Sequence, residues 1–299
     1  MTDTVPGQEG HSTQTHAALD DVQGHPDTRQ LPINRVGIKE VRHPVRVRGR
    51  SGGQPAIATV NLYVSLPHDI RGTHMSRMLE ILHEREHEIC VESIRDLLAQ
   101  MAERLDSSSV ELCMTFPFFV MKSAPRSGVQ SFMDYRATLT GRRRDSTTEV
   151  WLSVVVPVTS LCPCSRKISA YGAHSQRSHI TLTVRLHGPV WIEDLVELAE
   201  SEASCDLYGI LKRADEKYVT EHAYDHPKFV EDLVRDVATR LNMNERVSAY
   251  VVEAENFESI HNHSAYALIE RDKTTDIRLD CKSQIPAAVP REFQVNTPR

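Results

Sequence analysis

The chain has no run approaching the about 18 consecutive apolar residues that a membrane-spanning helix needs, so no membrane association is expected. It also lacks a basic, apolar leader. The opening "MTDTVPGQEGHSTQTHAALDDVQGHPDTRQ" is polar and scattered with Gly, Pro, His and Asp, which predicts a disordered tail rather than a secretory signal. Six cysteines at irregular spacing in 299 residues make no disulfide framework, which points to a reducing cytoplasm. There a close cysteine pair speaks of metal binding or catalysis. Positive charge is scarce as well: a net charge of −6 argues against a general nucleic-acid binder. Basic residues do cluster locally, at Arg42, Arg46, Arg48 and Arg50, at Arg71 and Arg77, and at Arg142 to Arg144, which suits a phosphorylated small substrate.

With 40% hydrophobic and 25% charged residues, the chain has the composition of a globular protein with ample core. "RVGIKEVRHPVRVRG" and "PAIATVNLYVSLP" read as strands around the turn-rich "RSGGQ". Helical spacing follows, with Met78, Ile81 and Leu82 and then Ile94, Leu97, Leu98 and Met101. "SSVELCMTFPFFV" and "QSFMDYRATLTGRR" bracket "KSAPRSG" as a second hairpin. The second half repeats that order. "TEVWLSVVVPVTSL" is β-branched and apolar, and "HITLTVRLHG" puts Ile180, Leu182, Val184 and Leu186 on one face. "VWIEDLVELAESEA" reads as a helix. "DHPKFVEDLVRDVATRLN" reads as another, with Pro227 in its first turn and Phe229, Leu233, Val237 and Leu241 along one stripe. "VSAYVVEAENFES" and "SAYALIER" close with two strands. The expectation is an α+β fold of antiparallel sheets with helix pairs layered on one face. Its open sheet edges invite closure by assembly into an oligomer. The expected division is a tail over 1–33, modules over 34–147 and 148–272, and a Pro-rich tail over 273–299.

Chemistry concentrates in "VTSLCPCSRKISAYGAHSQRSH". Pro163 restricts the residue before it, so Cys162 is expected to be extended. Cys-Pro-Cys is too short for a thioredoxin-type redox pair, and no second pair completes a four-thiolate zinc site. Two readings of Cys162 stay open here, a small buried thiol and a ligand of an open metal site. Candidate companions are His174, His179, Glu216, Glu255, Glu258, His261 and His263, because a catalytic zinc-type site takes three protein ligands and leaves one position open. "LPHDIRGTHMSRML" places Arg71, His74 and Arg77 between a strand and a helix start, either as anion binders or as solvated residues beside a cap at Thr73 or Ser76.

Together "TSLCPCSRKISAYGAHSQRSH", "LPHDIRGTHMSRMLE" and "NFESIHNHSAYA" resemble the signature segments of GTP cyclohydrolase type IB, the second family of that enzyme. The resemblance implies two tandem tunnelling-fold (T-fold) modules that assemble as a barrel-type homotetramer with sites at subunit interfaces. It implies conversion of GTP and water to 7,8-dihydroneopterin triphosphate and formate, the first step of tetrahydrofolate biosynthesis, with attack of metal-bound water on C8 of guanine. The implied cofactor is a divalent metal, zinc or manganese, with iron a further option. The metal-binding cysteine matches Cys162, the histidine His174 and the acidic ligand Glu216. The purine-anchoring glutamate matches Glu258, and the acid/base histidine matches His261. Arg71, His74, Arg77, Lys167 and Arg177 are the candidates for the triphosphate, while Cys164 receives no role. The competing readings are a related cyclohydrolase releasing a cyclic phosphate of dihydroneopterin, a non-catalytic T-fold purine- or pterin-binding protein, and a T-fold nitrile reductase.

Overall fold

The computed structural model describes residues 22–84 and 88–275. Two long strands, β1 (Ile33–Gly49) and β2 (Gly52–Leu66), are followed by α1 (Met75–His83), a short β3 (Glu88–Ile89), α2 (Val91–Arg104), β4 (Ser109–Ser123) and β5 (Gln130–Arg144). The second half runs β6 (Thr147–Leu161), α3 (Pro163–Ile168), β7 (Ser175–Leu186), α4 (Ile192–Ser201), β8 (Cys205–Asp206), α5 (Arg213–Asp225), α6 (Val230–Met243), β9 (Val247–Asn256) and β10 (Ala265–Asp272). All of these strands belong to one sheet of order β10-β9-β7-β6-β5-β4-β2-β1-β3, with β8 beside β6, and only β1 and β3 pair in parallel. The expected mixed α+β class with a large antiparallel sheet is what forms. Among the described residues no helix is long and apolar enough to cross a membrane.

Period-two alternation decides where the core sits. Leu112, Met114 and Phe116 of β4, Leu139 of β5, Leu152, Val154 and Val156 of β6, Ile180, Leu182 and Val184 of β7, and Val252 of β9 all enter one buried cluster with the helices. Helices α2, α4 and α6 pack on that face. Gly141 allows the closest approach, since a Cβ there would stand 2.5 Å from Leu98 Cδ1 and 2.8 Å from Ile94 Cγ2 of α2. The opposite face carries hydroxyls: Thr115 bonds Thr138 at 3.0 Å, and Thr183 donates to Ser153 at 2.9 Å.

Three local expectations change. Helix α6 begins at Val230, so Pro227 stands ahead of its cap Phe229 instead of inside the first turn. Helix α5 had no periodic signal, because only Asp215 and Ala223 of its thirteen residues are buried. His74, not Thr73 or Ser76, occupies the N-cap of α1. The leader up to residue 21 and the end beyond 275 lie outside the described residues. From Gln23 the chain runs along the β2–α1 connection, where Gly72 N donates to Gln23 O at 3.0 Å and Arg71 N to His25 O at 3.1 Å.

A buried charge cluster ties the first half to the second. Lys122 of β4 donates to Glu200 of α4 at 2.7 Å and to Asp206 of β8 at 3.0 Å, and Tyr135 donates to the same Glu200 oxygen at 2.7 Å. Burial pushes the Glu200 carboxyl above its ordinary value, and Lys122 opposes that rise. Lys122→Ala leaves Glu200 without its ammonium partner and is expected to cost about 3–5 kcal/mol at neutral pH. The folded variant then holds the Glu200 proton more tightly than the unfolded chain does. Its deficit should therefore shrink as pH falls from the raised folded value toward the ordinary carboxylate value. Urea unfolding of both proteins across that range measures the difference; a deficit independent of pH contradicts the assignment.

Candidate active site

Three neighbouring strands change character at the same level of the sheet. On the core face β6 reads Val156, Val158, Ser160, then Cys162; β7 reads backwards Ile180, Ser178, Gln176, His174; β9 reads Ala254, Asn256, then Glu258. The pairings Ser160↔Gln176 and Ser178↔Asn256 align the polar steps, so the apolar core gives way to a polar layer capped by a thiol, an imidazole and a carboxylate. Within that layer Asn256 Nδ2 donates to Ser160 Oγ at 3.3 Å. Ser178 Oγ and Asn256 Oδ1 are buried without a partner among the described residues, which leaves hydrogen-bonding capacity unspent directly beneath the site.

Cys162 is extended, as Pro163 requires, and caps α3, with Pro163 in the helix's first turn. Its Sγ accepts from Ser165 N at 3.4 Å, and its own N–H donates to His174 O at 3.1 Å. Ser165 fastens the junction a second time, because its Oγ donates to Cys162 O at 3.1 Å and accepts from His174 N at 3.2 Å. The His174 Nδ1 faces two oxygens, Gln176 Oε1 at 3.0 Å and Glu258 Oε2 at 3.8 Å. Both are acceptors, so the proton belongs on Nδ1 and the lone pair on Nε2 is left for another partner. That is the tautomer a metal-ligating histidine takes when a neighbouring oxygen orients it. A thiol sharing a backbone donor and an imidazole with a free Nε2 make a donor set suited to a borderline-soft divalent ion.

The remaining sequence candidates are dispersed. Glu216 sits in the first turn of α5, mostly exposed, with Arg213 at 3.8 Å. Among the described residues no three Cys, His, Asp or Glu side chains stand close enough to hold a metal. His261 lies in the exposed β9–β10 connection with its ring stacked on His263, centroids 5.0 Å apart. His179 and Arg177 have the opposite parity to His174 on β7 and so belong to the other sheet face. Burial, with Arg136 and Arg177 adding to it, holds His179 below its ordinary pKa. Glu255 shares that parity on β9, paired with His179. Lys167 is exposed on α3, as is Cys164. Arg71, His74 and Arg77 lie on the β2–α1 connection and α1, and β2 is three places from β6 in the sheet order. Sequence reasoning missed Gln176 and Ser165. Gln176 was findable, since a residue two places from a strand histidine shares its face.

The chain matches the family model of type I GTP cyclohydrolase folE2 over residues 19–267. GTP cyclohydrolase FolE2 of Nitrosococcus oceani is 60% identical over 256 residues, covering 85% of this chain and 96% of that protein. The protein of the same name from Azoarcus sp. strain BH72 is 61% identical over 258 residues, covering 86% and 96%. That from Methylobacillus flagellatus is 59% identical over 256 residues, covering 85% and 96%. Among solved structures, uricase from Arthrobacter globiformis overlays loosely, with a TM-score of 0.48 at 10% identity over 83% of this chain and 96% of that one.

Ser165→Ala removes the two hydroxyl bonds that brace the Cys162–His174 junction and leaves the direct Cys162 N to His174 O bond in place. It is expected to lower stability by about 1–3 kcal/mol, the range for stranding a buried backbone donor. Urea unfolding reads that loss, and an unchanged midpoint contradicts the bracing role.

Proposed function

The chain belongs to the family of type I GTP cyclohydrolases named FolE2 and is a GTP cyclohydrolase of folate biosynthesis, and from that premise we propose a site and a chemistry for it. Cys162, His174 and Glu216 hold a divalent metal, zinc or manganese, with iron a further option. The observation that carries this reading is the His174 imidazole, whose Nδ1 faces Gln176 Oε1 and Glu258 Oε2 while the His174 backbone carbonyl accepts from Cys162 N. When bound, the metal supplies Lewis acidity that makes water a nucleophile near neutral pH. Glu216, exposed on a helix that packs beside β6, is the donor with freedom to turn toward the pair.

The chain's own groups do the rest. The Glu258 carboxylate accepts from N1–H and the 2-amino group of guanine, which orients C8 toward the Cys162–His174 pair. His261 moves protons as the imidazole ring of the base opens and formate departs. The net reaction takes one GTP and one water to 7,8-dihydroneopterin triphosphate and formate. Arg71, His74, Arg77, Lys167 and Arg177 offer positive charge to the triphosphate.

We further propose two tandem T-fold modules, over 34–147 and 148–272, that assemble as a homotetramer. Two features support it. Among the described residues, strand β10 ends the sheet with Tyr266 and Leu268 exposed, and along most of its length β1 pairs only with β2, which gives two edges where further strands could add. The phosphate-binding candidates of the β2–α1 region sit on a different part of the sheet from Cys162, which a second copy of the chain would bridge.

Incubation with GTP and zinc, manganese or iron tests the reading, with product mass and pterin fluorescence after oxidation as readouts. A pterin retaining its triphosphate is expected, together with one formate; a cyclic phosphate product contradicts the proposal. Cys162→Ala should release no formate above background, and release at the wild-type rate overturns the metal assignment. Gln176→Leu keeps the volume but removes the acceptor at Nδ1. Metal affinity, read by competition with a chromophoric chelator, is expected to fall roughly 10–100-fold.

A further inference from the structure

Helix α5 is held at both ends, and the hold at its start comes from the other half of the chain. Asp215, the residue before Glu216, is fully buried and belongs to the first turn of that helix. Its Oδ1 accepts from Arg126 N and from Ser127 N, each at 2.8 Å. Its Oδ2 accepts from Ser127 Oγ at 2.6 Å and from Lys212 N at 2.8 Å. Three of the four donors come from the turn that joins β4 to β5, so one carboxylate fixes the start of α5 against a hairpin nearly ninety residues earlier. The contact extends around it: the Arg126 guanidinium lies 4.5 Å from the Tyr218 ring centroid, and Ile210 N donates to Ser131 Oγ at 3.1 Å. Gly209 passes so close to the hairpin that a Cβ would stand 2.9 Å from Phe132 O. At the other end, Arg166 of α3 stacks 4.6 Å from the Tyr224 ring centroid, and Lys228 N donates to Leu161 O at 3.1 Å.

The arrangement has more donors than a helix cap requires. The capping box at this position needs only the bond from Lys212 N. The hairpin donors do something else, because they set where along the sheet the first turn of α5 stands. We propose that Asp215 is the positioning residue for Glu216: it seats the first turn of α5 on the β4–β5 turn, so that the Glu216 backbone is placed for its carboxylate to complete the metal site with Cys162 and His174. The inference rests on the reading of Glu216 as a ligand. The first half of the chain thereby takes part in metal binding without contributing a ligand.

The test measures zinc affinity by chelator competition, with steady-state kinetics on GTP, for wild type, Asp215→Asn, Ser127→Ala and Glu216→Gln. Asp215→Asn turns one acceptor oxygen into a donor facing backbone N–H groups and should unseat the turn. It is expected to lose roughly 10–100-fold in zinc affinity and to lower kcat while KM for GTP changes less than twofold. Ser127→Ala removes one donor and keeps the carboxylate, and should lose affinity several-fold in the same sense; it stands in if Asp215→Asn does not fold. Glu216→Gln should lose at least as much as Asp215→Asn. Wild-type affinity in both Asp215→Asn and Ser127→Ala, with affinity lost in Glu216→Gln, overturns the positioning role and leaves the ligand reading standing. Wild-type affinity in Glu216→Gln overturns the ligand reading itself, and the positioning role with it.

Discussion

Strand register governs this site. Cys162 leaves β6 at the point where His174 enters β7, because Leu161 pairs with Ser175, and Glu258 leaves β9 just beyond the Asn256–Ser178 pair. A slip of one residue in any of these ladders would turn a whole strand over and send its functional side chain to the hydroxyl-lined face. The apolar residues that fix the register are Val154, Val156, Leu182, Ile180, Val252 and Ala254, all buried against the helices. Core packing and site geometry are therefore the same constraint read at two levels of one sheet.

The polar layer between them explains how a buried sheet end can present a thiol and an imidazole. Ser160, Gln176, Ser178 and Asn256 replace aliphatic residues one or two steps before the functional groups, and their side chains hydrogen-bond within the layer or wait for a partner. Gln176 does the most with its place, since its amide oxygen fixes which His174 nitrogen bears the proton. The two halves of the chain meet through a second set of buried charges, Lys122 with Glu200 and Asp206, and Asp215 with the Ser127 turn. Buried charges tolerate little displacement, because each must keep its partners to remain in the interior. They make the relation between the β4–β5 hairpin and the segment carrying Glu216 a rigid one.

Much of this was legible in the chain. The alternation of Ile180, Leu182 and Val184 announced β7, and Pro163 announced the extended Cys162. Two motifs marked Cys162, His174 and Glu258 as candidates; in the fold the Cys162 backbone bonds that of His174 and Glu258 stands 3.8 Å from the His174 ring, while Glu216, the third expected ligand, lies apart on α5. What stayed hidden has physical reasons. Helix α5 is stabilised by Asp215 and ring contacts rather than by an apolar stripe, so periodicity was silent. Pro227 looked like a helix start because proline suits a first turn, yet the chain spends two further residues reaching the cap. Ser165 and Ser127 act through backbone groups, and no spacing rule marks a serine that braces a neighbouring turn. Arg71 and Arg77 read as triphosphate candidates, but their place in the sheet relative to β6 stayed hidden, because a sheet order cannot be read from element order alone.

The central claim is that the register of β6 and β7 makes Cys162 and His174 one half of a metal centre. Cobalt loading tests it most directly, since a thiolate bound to cobalt(II) gives a near-ultraviolet charge-transfer band that an oxygen- and nitrogen-only site lacks. The band should appear in the wild type and in Cys164→Ser, and should vanish in Cys162→Ser. A band that survives Cys162→Ser, or one lost in Cys164→Ser alone, contradicts the account.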